Sequence, residues 1–207
     1  MSSTGCRKNS KWLPIEIIGG ILVIVVYIGF LLLSLAYYPP PYSPASNWLS
    51  DLGSPSQNPS GSHFYNIGCI LTALCLFVFD ASLVVWRTGQ KKRDIELMIS
   101  QILGCFPAFS LIMAAIFNID TGELHSLWSA ILVITFGYFF VMLGITLFTH
   151  SSFLRPIAIY GFTIAGINMV YGFGINTPWL EWVVIFMYLA FVGLIVLNVS
   201  MKLKSWR

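Results

Sequence analysis

Asp120 and His125 are the two side chains in this chain best suited to chemistry. They stand in the polar segment Asn118-Ile119-Asp120-Thr121-Gly122-Glu123-Leu124-His125, between two long apolar runs. A carboxylate and an imidazole at one depth can act as a general acid/base pair on an ester or phosphodiester. Joined by further acids or histidines they can ligate a divalent metal such as zinc, with a position left open for water. They can also hold a polar lipid head group by charge and hydrogen bonds. A second set, Asn47, Ser50 and Asp51 with His63 and Asn66, stands before and just inside an earlier apolar run, and is suited to binding a lipid or its head group. No HExxH, nucleophile elbow or phosphate loop is present, so these three chemistries stay open. The metal stays unassigned: the four cysteines, Cys6, Cys69, Cys75 and Cys105, form no CxxC pair and suggest neither a disulfide framework nor a zinc site. Cys6, among basic residues, reads as a free thiol, with palmitoylation as the alternative.

A third group is polar where it should not be. Asp80 lies well inside an apolar run, where an ionisable side chain is costly. Gln101 lies at similar depth in the next run, and Asn168 in a later one. The expectation is an Asp80–Gln101 hydrogen bond, with Asp80 able to carry a proton, and a proton or ion relay through Asp80 as the functional alternative.

The elements that position these groups follow from composition. Of 207 residues, 57% are hydrophobic and 9% are charged, against about 25% charged in soluble domains. This is the composition of an integral membrane protein of the all-α class, with no soluble domain and no surface for nucleic acid. Six runs approach or exceed the ~18 residues that cross ~30 Å of hydrocarbon. They cover 14–37, 64–86, 95–117, 126–149, 156–174 and 182–203, in one domain over 1–207. The first run is too long for a cleaved leader and ends at a proline cluster. Pro107 should kink the third. Gly104, Ala108 and Ala115 in the third run, and Gly161, Ala165 and Gly172 in the fifth, are small residues that let helices approach closely.

Residues 38–63 form the one long polar loop. Within it a short interfacial helix is expected over about 44–52, with Ser43 as N-cap, Pro44 at the first position and Gly53 as a left-handed stop before Pro55. All 11 Lys and Arg residues fall before the first run or after the second, fourth and sixth. The positive-inside rule then puts both termini in the cytoplasm and Asp51, His63, Asp120, Glu123, His125 and Glu181 outside.

Asn47-x-Leu49-Ser50-Asp51-Leu52-Gly53 after the first run, and Phe64-Tyr65-Asn66-x-Gly68 opening the second, together resemble the prokaryotic membrane family catalogued as domain of unknown function 998. Phe117, Asp120 and His125, followed by Ala130, resemble that family's acidic segment and histidine, although the segment here is shorter and lacks a proline. More distantly the layout looks like the FRAG/DRAM/SFK group. That likeness implies a lipid-related role at the plasma membrane by analogy alone. Three functions are in competition: a lipid-handling protein, and on this reading an enzyme is not excluded; a non-catalytic scaffold; and a small transporter or channel using Asp80. The partners implied are membrane lipids, a membrane-protein partner or a second copy of the chain.

Overall fold

The computed structural model describes residues 12–205, with side chains from Pro14 to Met201. Cys6, Arg7, Lys8 and Lys11, and the cations Lys202, Lys204 and Arg207, lie outside the described side chains. Six long helices account for most of the chain: α1 (Trp12–Tyr37), α2 (Ser62–Ser82), α3 (Lys91–Ile116), α4 (Glu123–Phe148), α5 (Arg155–Phe173) and α6 (Pro178–Ser205). No strand occurs among the described residues. All six are long and apolar enough to cross a membrane; mean hydropathy is 2.8 in the apolar part of α1 and 1.3 in α5. The 19 residues of α5 rise about 28 Å at 1.5 Å per residue, just the thickness of the hydrocarbon.

The helices stand in a ring. Each touches its neighbours in sequence, and α6 closes the circuit against α1. Ile18, Val25 and Leu32 on α1, and Leu71, Leu74 and Val78 on α2, face outward and are exposed, the lipid-facing surface of such a ring. Inside it, rings from α4 and α6 meet: Phe136 lies 4.5 Å from Tyr188 and Phe140 5.3 Å from Phe191, centroid to centroid. Gly161 of α5 makes room for them, since a Cβ there would stand 3.0 Å from the Phe191 ring. Pro107 sits buried within α3, which runs on through it.

At one end of the ring lie both ends of the described chain, with Arg87, Lys91, Lys92, Arg93 and Arg155. There the Asp94 carboxylate organises the α2–α3 turn by accepting the amides of Thr88 at 2.8 Å and Gly89 at 3.2 Å. Glu16, fully buried, accepts the Trp86 indole N–H at 2.9 Å. It is a second intramembrane carboxylate beside Asp80, and its place four residues into α1 gave little sign of that depth. The opposite, long-loop end carries residues 38–61 and the α3–α4 connection, which turns at Gly122 with φ +63°, a left-handed conformation that suits glycine.

The short helix of the long loop differs from expectation. Pro44–Ser46 make a single turn closed by Ser43, whose carbonyl accepts the Ser46 and Asn47 amides. The helix proper is a 3-10 segment, Leu49–Gly53, beginning five residues later than expected. Gly53 does not take a positive φ and is no left-handed stop. It is glycine for space: a Cβ there would run into the Asn66 side chain and the Tyr65 ring.

Candidate functional site

The long loop is a stitched cover. Asn58, fully buried, is its hub: Nδ2 donates to Leu52 O at 2.9 Å, to Ser34 Oγ at 3.0 Å and to Ser34 O at 3.3 Å, and Oδ1 accepts the Gly61 amide at 3.0 Å. Asp120 fastens the α3–α4 connection to the same cover, accepting Ser54 Oγ at 2.5 Å, the Ser56 amide at 2.9 Å and Ser56 Oγ at 3.0 Å. Slight burial would push its carboxyl up, but those three donors outweigh that and hold it below its ordinary range. Asp51 closes the 3-10 segment by accepting the Trp48 amide at 2.8 Å. Its burial pushes the carboxyl above the ordinary range, and the Trp48 and Gln57 donors recover only part of that. From the far side Glu181 of α6 accepts the Leu49 amide at 2.6 Å. Asn66 donates to Gly53 O at 2.9 Å.

Beneath the cover the ring encloses a cavity of about 120 Å³. Along α2 it is bordered by Tyr65, Asn66, Cys69, Thr72, Leu76, Phe79 and Asp80, at helical three- and four-residue spacing on one face. From Asn66 to Asp80 is fourteen residues, about 21 Å of helix. Ala108 and Ala115 of α3 also border it, with Gly104, so their smallness leaves space as much as it brings helices together. A second cavity, a groove of about 380 Å³, lies between the long-loop ends of α4 and α5. Ser50, Ile119, His125, Ser129 and Glu181 line both, so these residues form the wall that the two share.

His125 stands at this junction. Its Nδ1 lies 2.8 Å from Phe117 O and 3.1 Å from Ala114 O, and both are acceptors, so Nδ1 carries the proton. Nε2 lies 3.2 Å from the Ser129 hydroxyl, which can donate to it or accept from it. Both ring nitrogens are thus held.

The candidate residues therefore separate. Ser50, Asn66 and His125 reach the cavity. Asp120 is turned into the cover and forms no pair with His125, because the serine hydroxyls and an amide already supply its donors. Asn47 serves its own turn, accepting the Ser43 amide at 3.1 Å. His63 is exposed on the outside against Phe64, ring centroids 4.0 Å apart. Among the described residues no three His, Cys, Asp or Glu side chains gather as metal ligands.

The expected Asp80–Gln101 hydrogen bond is formed, but not to the Asp80 carboxylate. Gln101 Nε2 donates instead to the backbone carbonyls of Asp80 at 2.9 Å and Ala81 at 3.0 Å. The reason is local: α2 ends at Ser82 and tightens into the 3-10 turn Leu83–Trp86, where the Leu83 amide is shared between the Asp80 and Ala81 carbonyls and leaves them capacity for a further donor. The Asp80 carboxylate is left facing the cavity. Asn168 ties three helices, donating to Val133 O of α4 at 2.6 Å and accepting the Tyr188 hydroxyl of α6. Asn58, Glu16 and Glu181 were missed from sequence; Asn58 sits in Pro55-Ser56-Gln57-Asn58-Pro59, which reads as an ordinary turn.

No curated protein and no solved structure matches the chain, and neither comparison supplies a link to the FRAG/DRAM/SFK group. A family model does match, over residues 17–201, which takes in all six helices and the whole cavity. The chain is thus a multi-pass membrane-type protein that belongs to the family described as Protein of unknown function (DUF998).

Proposed function

We propose that this protein binds a slender lipid-like amphiphile, with its hydrocarbon in the ring cavity and its polar head among Ser50, His125, Ser129 and Glu181. The long-loop end then faces the extracytoplasmic side of the cell membrane, with both termini in the cytoplasm. The observation that carries this reading is a mainly apolar cavity inside the ring that shares a polar wall, Ser50, His125, Ser129 and Glu181, with a groove between α4 and α5. Apolar burial gains little over a lipid environment, so selectivity must come from the head. There the Glu181 carboxylate offers acceptors, and Ser50 and the bonded His125–Ser129 pair offer hydroxyl groups. The activity proposed is binding. Asp120 is fully occupied in the cover, and both nitrogens of His125 are already bonded within the chain.

The test is lipid extraction and mass spectrometry on the purified full chain, beside Ala108→Leu, which fills the cavity from a buried position. Near-stoichiometric lipid on the wild-type protein, reduced at least tenfold in the variant, is the expected result. Equal and trace amounts on both would sink the reading. What would remain is a helical scaffold for another membrane protein, its polar groups serving its own packing.

A further inference from the structure

Asp80 is 5% exposed and borders the cavity at the end away from the cover. Its Oδ1 has no hydrogen-bond partner, and Oδ2 meets the weak donor Cys105 Sγ at 4.0 Å. Gly104 packs directly against the carboxylate, where a Cβ would collide with Oδ1 and with the Phe139 ring. Phe79, Phe139, Phe140 and Phe191 line the same cavity, and no Lys or Arg does. Thr72, two turns along the same face of α2 and about 12 Å away, also holds a buried hydroxyl without a partner.

A desolvated carboxylate with a vacant acceptor is costly unless it takes up a proton or a donor or counter-charge reaches it. Gln101 is committed to the α2 backbone, so it supplies none. Calcium and magnesium need about six oxygen ligands and zinc about four nitrogen, sulfur or oxygen ligands, and among the described residues no such set gathers around Asp80. An anionic head would meet two carboxylates, Asp80 and Glu181, and no cation. A protonated amine on a hydrophobic body satisfies every wall: its N–H groups reach Oδ1, its charge lies against ring faces, and its body fills the apolar space. We infer that the cavity is a binding site for lipophilic amines, with Asp80 receiving the ammonium group among the phenylalanine rings. This rests on the cavity of the preceding section and specifies the class of ligand it takes.

Dodecylamine, dodecanol and dodecanoate share a chain length and differ only in the head, so they separate the two readings. Calorimetric titration of each into the purified full chain in detergent is expected to show the amine at least tenfold tighter than the alcohol, with the carboxylate weakest. Asp80→Asn should bring the amine to the affinity of the alcohol and leave the alcohol within twofold. Amine and alcohol binding equally to the wild-type protein, both lost in Ala108→Leu, would overturn the amine inference and leave the amphiphile reading standing. No binding of any of the three would overturn both. The wild-type comparison needs no variant, so it decides even if Asp80→Asn does not fold. Phenethylamine beside dodecylamine separates the two sources of such a ligand: preference for the long chain indicates a membrane amine, preference for the compact one a free solute.

Discussion

Two regions of this molecule handle polarity in opposite ways. In the cover nearly every polar group is bonded: Asn58 fills both its donor and acceptor sides, and Asp120 takes three donors. In the cavity, Thr72 Oγ1 and Asp80 Oδ1 are buried with nothing to bond. A bonded polar group is there to hold structure. A buried one kept without a partner costs stability and is informative about something the chain alone does not contain.

Substitutions can break that contrast. The largest effect is expected for Asn58→Ala, which removes four hydrogen bonds under the cover and leaves Ser34 Oγ and Leu52 O only the bond between them; thermal unfolding in detergent should show a loss of about 3 kcal/mol. Asn168→Ala cuts α5 from α4 and α6, and at the roughly 0.6–1.7 kcal/mol of an intramembrane hydrogen bond should cost about 2 kcal/mol. Asp120→Ala should cost about 1 kcal/mol, since its bonds are charge-assisted but the group is exposed. Thr72→Val should be within about 0.5 kcal/mol of neutral or stabilising, because it removes a hydroxyl that bonds nothing. A loss of 2 kcal/mol there would erase the distinction between the two regions.

Acidity sharpens the comparison inside the cover. Asp120 titrates below the ordinary carboxylate value of about 4, so its contribution is present above pH 4 and is lost as pH falls through its lower folded value. Asp51 titrates above that value, so its contribution is present below about pH 4 and is lost as pH rises through its higher folded value. Unfolding temperature followed from pH 3 to 7 should therefore fall less on the acid side in Asp120→Asn, and decline less toward neutrality in Asp51→Asn. Parallel profiles for both variants would contradict the opposite environments of the two carboxylates.

The six helices were legible because a bilayer-length apolar run has few other uses, and the family because Asn47 to Gly53 and Phe64 to Gly68 lie in the matched region. Asp80 was legible as an anomaly, a charge at depth. Its partner atom was not, because helix ends create carbonyl acceptors that no residue pattern displays; Gln101 went to the backbone. The 3-10 segment slipped five residues from its expected start because Asp51, reaching back to the Trp48 amide, offered a better closure than Ser43. Asp120 looked catalytic because it neighbours a histidine in sequence, whereas contacts across 64 residues decide where it points. Glu181 looked like a loop residue until the 3-10 segment arrived against it.

The cover is bonded to α1 through Ser34, to α2 through Asn66, to the α3–α4 connection through Asp120 and to α6 through Glu181. A groove lies on the α4–α5 flank. On the reading proposed above, a guest entering there would move parallel to the membrane plane and leave hydrocarbon without first crossing water. Its occupancy would follow its mole fraction in the leaflet, and affinities measured against aqueous concentration would vary with the amount of detergent or lipid present.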